Sequence, residues 1–275
     1  MLQKYILFLK KYPLVTAAIA VAYAMLCIFT VRTETNFQAF IVRTMLCGAV
    51  CFFLYQISGD KTLTAAYNDT WYVIRVGIGF WIMALPLCII GLLGSLAQFP
   101  LRDNIPVYTL VTFLMFVFVG LFEELTFRAL INDAIIYAFR DKKYVFVASA
   151  IVSSVVFGAA HVIGAELTDV WAVGSAAGKI IQTAVFGLAL LMLYWKTRNI
   201  WACGVVHGIY DFILSLSSCI FDTSSVRPSY VVGGESAMVV IIVYIVTTVA
   251  ELVVLYFIYK KIGKEIDYEQ MRKEW

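Results

Sequence analysis

The chain has 275 residues, of which 62% are hydrophobic and only 14% are charged. Soluble domains are about half apolar and about a quarter charged, so this composition excludes an ordinary soluble domain and indicates a membrane protein. The formal net charge of +3 is too small to indicate a nucleic-acid partner, and the six cysteines include no C-x-x-C pair that would indicate a redox or zinc motif.

Apolar stretches follow one another along the chain, each close to the roughly 20 helical residues that cross a bilayer core. They predict eight membrane-spanning helices, at 13–31, 38–57, 71–97, 107–127, 144–163, 179–195, 200–217 and 237–258. The sequence shows no internal repeat and no low-complexity segment. We therefore expect an all-α fold, a polytopic transmembrane helical bundle that forms a single integral membrane domain over residues 1–275.

The basic residues between these stretches predict the orientation of the chain. If the N-terminus is cytoplasmic, the inner segments carry 14 basic residues: Lys4, Lys10, Lys11, Lys61, Arg140, Lys142, Lys143, Lys196, Arg198, Lys260, Lys261, Lys264, Arg272 and Lys273. The outer segments then carry four: Arg32, Arg102, Lys179 and Arg227. Because cytoplasmic segments are enriched in Lys and Arg, this asymmetry predicts that both termini are cytoplasmic.

Two adjacent carboxylates end the fourth predicted span. Ionisable groups inside a bilayer cost about 3 kcal/mol or more, so each needs a partner or a function. In the sequence Glu123-Glu124-Leu125-Thr126-Phe127-Arg128, Glu124 and Arg128 are four residues apart and can pair on one helix face. Glu123 points about 100° away and is left to face a cavity. The pattern suggests that Glu124 holds structure and Glu123 does chemistry. The alternative is a purely structural charge cluster.

The protein has only two histidines, and both fall within predicted spans. If two straight antiparallel helices leave the basic turn at residues 140–143, position 123 faces position 160, so His161 lies level with Glu123. Both then lie about 28 Å from the turn at 1.5 Å per residue, so this hairpin must project beyond the membrane. The polar Asn132 and Asp133 are consistent with projection. The alternative is a histidine that only fills the core.

The second histidine lies four residues before a carboxylate. His207 and Asp211 share one face of the following span. Gly204 and Gly208 flank the histidine and permit the close approach of another helix backbone. The alternative is a packing pair in which Asp211 only neutralises a nearby cation.

Glu251 is a further carboxylate inside a predicted span. We expect it to pair with Arg43 or Arg75, two arginines that also fall within spans, because pairing lowers the cost of burial. Lining the cavity is the alternative role for Glu251.

Taken together, the motifs E-E-x-x-x-R, F-x-x-x-H and H-x-x-x-D occur in this order on three predicted helices and include both histidines. This combination resembles the CPBP family of intramembrane proteases, which includes the type II CAAX prenyl endopeptidases and proteins linked to bacteriocin processing and self-immunity. The resemblance covers a protease-like core at about 105–215. It implies an intramembrane endopeptidase that hydrolyses a peptide bond of a membrane-associated substrate, either prenylated or carrying a leader peptide.

The resemblance also implies roles for the matching residues. One glutamate would polarise a water molecule beside the first histidine, the second histidine and its aspartate would stabilise the oxyanion or hold a metal, and the Glu–Arg pair would fix the helix. The catalytic candidates are therefore Glu123, Glu124, Arg128, His161, His207 and Asp211.

Asp211 departs from the family pattern, which usually has Asn at this position. An ionised carboxylate cannot donate a hydrogen bond to an oxyanion. Asp211 must therefore be protonated, coordinate a metal or orient a neighbour.

Two hydrolytic schemes remain open. In the first, Glu123 is the general base, His161 orients the water and His207 donates to the oxyanion. In the second, one divalent ion is bound, with zinc expected because two histidines and a carboxylate suit catalytic zinc. Its candidate ligands are Glu123, His161, His207 and Asp211. The sequence lacks H-E-x-x-H, so it gives no independent zinc signature.

Two functions of other classes also remain open. A proton- or ion-coupled transporter is one, because buried Glu, His and Asp also build proton relays. A non-enzymatic bacteriocin immunity or assembly factor is the other.

The expected partners are the lipid bilayer and a peptide or lipidated protein substrate. A small multispan protein without an evident targeting presequence is expected in the bacterial plasma membrane, and the endoplasmic reticulum membrane is the alternative.

Overall fold

Helices form nearly all of the regular structure in the computed structural model, which describes residues 2–64, 69–225 and 229–274. They are α1 (Leu2–Lys11), α2 (Pro13–Thr30), α3 (Asn36–Ser58), α4 (Thr70–Gln98), α5 (Ile105–Glu123), α6 (Asn132–Phe139), α7 (Val145–Ala160), α8 (Val170–Thr197), α9 (Ile200–Leu214), α10 (Leu216–Ile220), α11 (Ala237–Ile262) and α12 (Tyr268–Glu274). A π-helix, Glu124–Ile131, joins α5 to α6, so that the chain is helical without a break from Ile105 to Phe139. Arg227 lies outside the described residues.

The all-α, polytopic architecture is confirmed. In the part of the chain that the structure describes, six helical stretches are long and apolar enough to cross a membrane: 13–30, 36–58, 70–98, 105–139, 170–197 and 237–262. The predicted spans 144–163 and 200–217 correspond to the shorter helices α7 and α9, with 16 and 15 residues. The chain is therefore an integral membrane protein, and the cytoplasmic location of both termini stays a prediction.

Two predicted boundaries differ from the structure. The fourth predicted span ends at residue 127, but the helix continues to Phe139 because no Gly or Pro follows Arg128 in this stretch. The sixth begins at Val170 rather than at residue 179, since Asp169 caps it by accepting a hydrogen bond from the Ala172 amide at 2.8 Å. Lys179 consequently lies inside α8 and not in an outer connection.

Asn132 and Asp133 do not face solvent, and the projection of this hairpin beyond the membrane stays a prediction. Both are fully buried. Asp133 accepts hydrogen bonds from the Tyr194 hydroxyl at 2.8 Å and from Arg198 at 3.1 Å. The end of α8 therefore supplies the polar partners that water would otherwise provide. The exposed part of this hairpin is the turn around Arg140.

Glycines make the contact between α5 and α9. A Cβ atom at Gly204 would lie 2.8 Å from the Cα of Leu121, and one at Gly208 would lie 2.6 Å from the Cα of Val117. Gly120 meets both of these glycines from the other helix. The two backbones therefore approach more closely than larger residues allow, as the flanking glycines predicted. This contact sets His207 against the end of α5.

Candidate active site

A buried ion pair lies where α5 becomes the π-helix. Arg128 Nε is 3.3 Å from Glu124 Oε2, and both side chains are almost completely buried. The guanidinium lies 3.7 Å from the centroid of the Phe157 ring, and its Nε donates to the Gly187 carbonyl at 3.4 Å. A Cβ atom at Gly187 would lie 2.5 Å from Arg128 Nη2, so glycine leaves the space that the guanidinium fills. The predicted pairing of Glu124 with Arg128 is confirmed.

The imidazole of His207 is held between three carboxylates. Its Nδ1 atom lies 2.8 Å from Glu124 Oε1, which is hydrogen-bonding distance. Its Nε2 atom lies 3.5 Å from both Glu123 Oε2 and Asp211 Oδ2. A carboxylate accepts only, so Nδ1 donates to Glu124, and Nε2 is the ring atom that faces the other two carboxylates.

A hydrogen bond also fixes the imidazole of His161. His161 follows the last residue of α7, so it lies at the end of a helix rather than within a span to residue 163. Its Nδ1 atom is 2.9 Å from the Phe157 carbonyl oxygen, and a carbonyl can only accept a hydrogen bond. In the neutral ring, Nε2 is therefore left as an acceptor. The centroid of the Phe157 ring lies 4.7 Å from that of His161 and 5.9 Å from that of His207, so one phenylalanine contacts both imidazoles.

The two adjacent glutamates have different surroundings, as the sequence predicted. The Glu124 side chain is fully buried, whereas 18% of the Glu123 side chain is exposed. Glu123 also lies within electrostatic reach of both His161 and His207. Glu124 therefore contacts only its protein partners Arg128 and His207. Part of the Glu123 side chain, in contrast, is accessible to a small molecule such as water.

The charges of the cluster bear on metal binding. Glu123, Glu124 and Asp211 carry three negative charges and Arg128 carries one positive charge. The formal charge is therefore −2 with both imidazoles neutral and −1 with His207 as the imidazolium. The types of donor atom suit zinc. Within the described ranges, however, no three His, Cys, Asp or Glu side chains are arranged to hold a metal ion. The side chains as placed do not form a ligand set, and zinc stays a prediction.

A cavity of about 540 Å³ opens beside the cluster. Asp211 is part of its lining, so the cavity is continuous with the candidate site. Residues from α4, α5, α8, α9, α10, α11 and two loops enclose it: Leu87, Phe116, Lys179, Gln182, Tyr210, Asp211, Leu214, Ser215, Ser217, Ser218, Thr223, Tyr230, Val243, Tyr244 and Thr247. The mixture of apolar, hydroxyl and charged groups suits a peptide with apolar side chains.

Glu251 does not pair with either arginine, so that prediction is wrong. Its Oε1 atom accepts a hydrogen bond from Gln182, and Arg43 instead lies over the ring of Phe122 at 5.3 Å. The fully buried Glu251 is next to the cavity, because Gln182 is part of the cavity lining. The sequence reasoning missed Gln182 and Lys179, although the apolar run that starts at Val170 contains both and indicates a longer helix.

The loop between α10 and α11 closes one side of the cavity. Asp169 Oδ2 accepts a hydrogen bond from the Gly234 amide at 2.9 Å, which ties this loop to the start of α8. The amide groups of Ala172 and Gly234 lower the pKa of Asp169, so that the carboxylate stays ionised at neutral pH. Tyr230 on the same loop places its ring 5.8 Å from that of His161.

Comparison with known proteins bears on the same segment. Residues 105–213 match the family model described as type II CAAX prenyl endopeptidase Rce1-like. The matched range begins with α5 and ends within α9, so it contains the whole of the charged cluster. The resemblance that the three motifs indicated is confirmed. Neither a search of curated proteins nor a search of solved structures found a match.

Proposed function

The chain has an Rce1-like core over residues 105–213, and on that premise we propose that it is an intramembrane endopeptidase of the CAAX type. It hydrolyses a peptide bond of a membrane-associated peptide or lipidated protein. The observation that carries the proposal is the approach of His207 Nε2 to Glu123 and Asp211, at 3.5 Å each, on the wall of a cavity large enough for a peptide. No specific observation favours the transporter or the immunity factor.

Hydrolysis in this site begins with a water molecule that contacts Glu123. The Glu123 carboxylate takes a proton from this water as its oxygen attacks the carbonyl carbon of the substrate. His161 accepts a hydrogen bond from the same water through Nε2 and so orients it. The carbonyl oxygen becomes the oxyanion, to which His207 donates from Nε2 in its imidazolium form. The proton on Glu123 then passes to the leaving amine as the C–N bond breaks.

The remaining candidates act through these groups. Glu124 accepts from His207 Nδ1 and holds the ring with Nε2 toward the cavity, and Arg128 holds Glu124. Asp211 is close enough to orient His207 Nε2, which is the third of the roles open to it. Glu124, Arg128 and Asp211 are thus positioning residues in this scheme.

A metal-dependent scheme is the second form of the same proposal. A zinc ion would be held by residues among Glu123, His161, His207 and Asp211, and would supply Lewis-acid chemistry. Cleavage in the presence of a chelator, together with the metal content of the purified protein, separates the two schemes. Full activity without bound metal leaves the glutamate-based scheme, whereas activity lost to a chelator and restored by zinc supports the metal scheme.

The family match and the cavity support the proposed substrate class. A prenylated protein or a leader peptide is the substrate class that we propose, and the bacterial plasma membrane is the location. We expect a substrate with a lipid group to approach from the bilayer, because the helices that enclose the cavity present apolar side chains outward.

The decisive experiment is peptide cleavage by the purified protein in vesicles. A library of prenylated and unmodified peptides is analysed by mass spectrometry with the wild type and with Glu123→Gln, His161→Ala and Glu34→Gln. Loss of a general base lowers the rate by about 10²–10⁴-fold, so Glu123→Gln and His161→Ala are expected to lose cleavage. Glu34 is exposed in the connection between α2 and α3, so Glu34→Gln provides the control and is expected to leave cleavage unchanged.

Normal cleavage by both Glu123→Gln and His161→Ala would reject the catalytic assignment. Proton-coupled uptake by the vesicles without cleavage of any peptide would instead identify a carrier. The unfolding temperature of each variant is measured in detergent. A value close to that of the wild type means that a loss of cleavage does not reflect a loss of the fold.

A further inference from the structure

A groove of about 500 Å³ lies on the surface of the protein between α7 and α8. It is lined by side chains from residues 146–155 and 180–195 and by Tyr268 of α12. Apart from Ser154, Trp195 and Tyr268, these side chains contain only carbon and hydrogen. No described residue lines both this groove and the cavity beside the candidate site. The groove is therefore a separate, apolar feature of the molecule.

Small side chains form the floor of the groove, and larger ones form its edge. Ala150 and Ser154 are buried, whereas Val147 and Ile151 are each more than half exposed. Within each pair the residues are four apart, so the two pairs form two parallel rows along α7. An apolar chain fits lengthwise over the small residues. Because the exposed edge is apolar, the groove opens toward the hydrocarbon of the bilayer rather than toward water.

The groove begins beside the basic turn at residues 140–143 and extends along α7. At this end Phe146 and Trp195 lie with ring centroids 5.8 Å apart, and Tyr268 packs on both rings, at 4.9 and 6.1 Å. From residue 146 to residue 155, α7 rises about 14 Å at 1.5 Å per residue. This length is close to half of the roughly 30 Å hydrocarbon core, so the groove spans about one leaflet.

Trp195 brings an unused hydrogen-bond donor to the aromatic end of the groove. The residue is only 7% exposed, and its Nε1 atom has no hydrogen-bond partner among the described residues. An indole N–H can only donate, and leaving it buried without an acceptor is unfavourable. The ester carbonyl of a glycerolipid, which lies between the acyl chain and the headgroup, is an acceptor of the kind that this donor lacks.

Positive charge lies at the same end of the groove. Arg140, Lys142 and Lys143 against Asp141 give the turn a formal net charge of +2, three positive and one negative. Lys142 and Lys143 are both exposed, and neither has a described carboxylate within 4.0 Å. Two ammonium groups next to an apolar groove suit a molecule that carries both a phosphate and a hydrocarbon chain.

Arg272 of α12 ties the basic turn to the groove. Its guanidinium donates to the carbonyl oxygens of Lys142 and Lys143 at 3.2 Å each. It also lies 5.2 Å from the centroid of the Phe146 ring, which lines the groove. Because Glu269 lies 3.7 Å from Arg272 and offsets its charge, the attraction for an anion belongs mainly to the two lysines.

We propose that this groove is a binding site for one anionic glycerophospholipid. An acyl chain lies over Ala150 and Ser154, an ester carbonyl accepts a hydrogen bond from Trp195 Nε1, and the phosphate meets Lys142 and Lys143. The donor and the two lysines distinguish the site from the remaining lipid-facing surface, which offers only apolar side chains to any lipid. The inference does not depend on the proposed function, because no group of the candidate active site takes part.

The test measures lipid binding to the purified, delipidated protein in detergent by native mass spectrometry. The probes are phosphatidylglycerol and phosphatidylcholine with the same palmitoyl and oleoyl chains. The measured quantity is the Kd of the first bound phosphatidylcholine divided by that of the first bound phosphatidylglycerol. A hydrogen bond to a charged group changes affinity by about tenfold or more, so the wild-type ratio is expected to be at least about ten.

The first variant tests the charge. Lys142→Gln/Lys143→Gln is expected to lower the ratio by about tenfold, because the charge-assisted hydrogen bonds to the phosphate are lost. Lys10 and Lys11 are another exposed basic pair, at the end of α1. Lys10→Gln/Lys11→Gln is the matched control and is expected to keep the wild-type ratio.

The other variants test the groove itself. Trp195→Phe keeps an aromatic ring but removes the donor, so both lipids are expected to bind about two- to tenfold more weakly. The control Trp71→Phe changes an exposed tryptophan outside the groove and is expected to change neither affinity. Ala184→Trp fills the groove and is expected to abolish the tight binding of phosphatidylglycerol. Val249→Trp, at an exposed apolar position on α11, is expected to retain it.

Three results would overturn the inference: equal affinity of the wild type for the two lipids, an unchanged ratio in Lys142→Gln/Lys143→Gln, or undiminished binding of phosphatidylglycerol by Ala184→Trp. The unfolding temperature of each variant identifies a loss of binding that reflects a loss of the fold, and the ratio of the two Kd values does not depend on the folded fraction. A dimer that Ala184→Trp dissociates would assign the groove to a second copy of the chain and would also overturn the inference.

Discussion

The carboxylate of Glu124 and the imidazole of His207 are joined by a hydrogen bond of 2.8 Å, although 83 residues separate them in the chain. The other oxygen of the same carboxylate faces Arg128 at 3.3 Å. One buried side chain therefore fixes both the arginine of its own helix and the histidine of α9. This shared partner makes the position of His207 dependent on an ion pair that does not contact the cavity.

Removing Glu124 is expected to destabilise the protein as well as inactivate it. In Glu124→Ala the buried Arg128 loses its ionic partner, which costs about 3–5 kcal/mol. The double variant Glu124→Leu/Arg128→Met replaces the pair by apolar groups and is expected to recover most of this stability, because such replacements are often neutral. It remains inactive because His207 Nδ1 has lost its acceptor. Thermal unfolding in detergent and peptide cleavage are the two measurements.

The control is an ion pair nearer the surface. Arg102 and Asp222 lie 3.3 Å apart, and 44% of the Asp222 side chain is exposed. Asp222→Ala is expected to lower the unfolding temperature much less than Glu124→Ala, because solvent screens an exposed ion pair. If Glu124→Ala unfolds at the same temperature as Asp222→Ala, the buried pair does not have the structural role assigned to it.

Gly120→Ala is expected to separate α5 from α9. The added methyl group would overlap the backbone of Gly204 and Gly208, and backbone atoms cannot rotate away as a side chain does. We expect a cost of about 1–3 kcal/mol and a loss of activity of about 10²-fold, because a displacement of 1 Å at a reacting group has that effect.

The matched variant is Gly48→Ala on α3, where a Cβ atom meets nothing within 4 Å. It is expected to retain full activity and to gain up to about 1 kcal/mol from the higher helix propensity of alanine. Equal effects of the two substitutions on cleavage would contradict the role of the glycine contact in placing His207.

Two substitutions of Asp211 distinguish a role as a hydrogen-bond acceptor from a role that requires negative charge. Asparagine also offers a carbonyl oxygen to His207 Nε2, so Asp211→Asn is expected to keep cleavage within about tenfold of the wild type. Asp211→Leu has no acceptor and is expected to lose about 10²-fold or more. Steady-state kcat/KM on the best peptide gives both values. Equal losses in the two variants would show that the negative charge, and not the acceptor, is required.

The sequence predicted those features that depend on local spacing. Glu124 and Arg128 are four residues apart, so their pairing follows from the helix repeat alone, and Gly204 and Gly208 indicate close packing because they lack side chains. The all-α architecture follows from the lengths of the apolar runs. In each case the information lies within a few residues of the chain.

Features that depend on distant partners were predicted poorly. Glu251 was expected to pair with an arginine, but the choice among buried polar groups depends on which helices touch, and Gln182 of α8 is the nearer partner. Lys179 was placed at the start of the sixth predicted span and counted with the outer segment. In the structure its ammonium is accommodated by Gln182 and two tyrosines, none of which follows from the periodicity.

Asp133 provides a case in which a buried charge serves the fold alone. Its carboxylate accepts from Thr62 at 3.2 Å, from Tyr194 and from Arg198, and so ties the connection between α3 and α4 and the end of α8 to α6. It lies nine residues beyond Glu124, roughly 13 Å along the helix at 1.5 Å per residue, and it is not part of the cavity lining.

Asp133→Asn is therefore expected to lower stability by about 2–4 kcal/mol, since the buried donors lose a charged acceptor. The activity of the molecules that remain folded is expected to match the wild type. Unfolding temperature and kcat, with the concentration of folded protein determined by size-exclusion chromatography, separate these effects. The exposed Asp141→Asn is the control and is expected to change neither quantity. A lower kcat in folded Asp133→Asn would mean that the network at the end of α8 also positions the candidate site, because Gly187 on the same helix contacts Arg128.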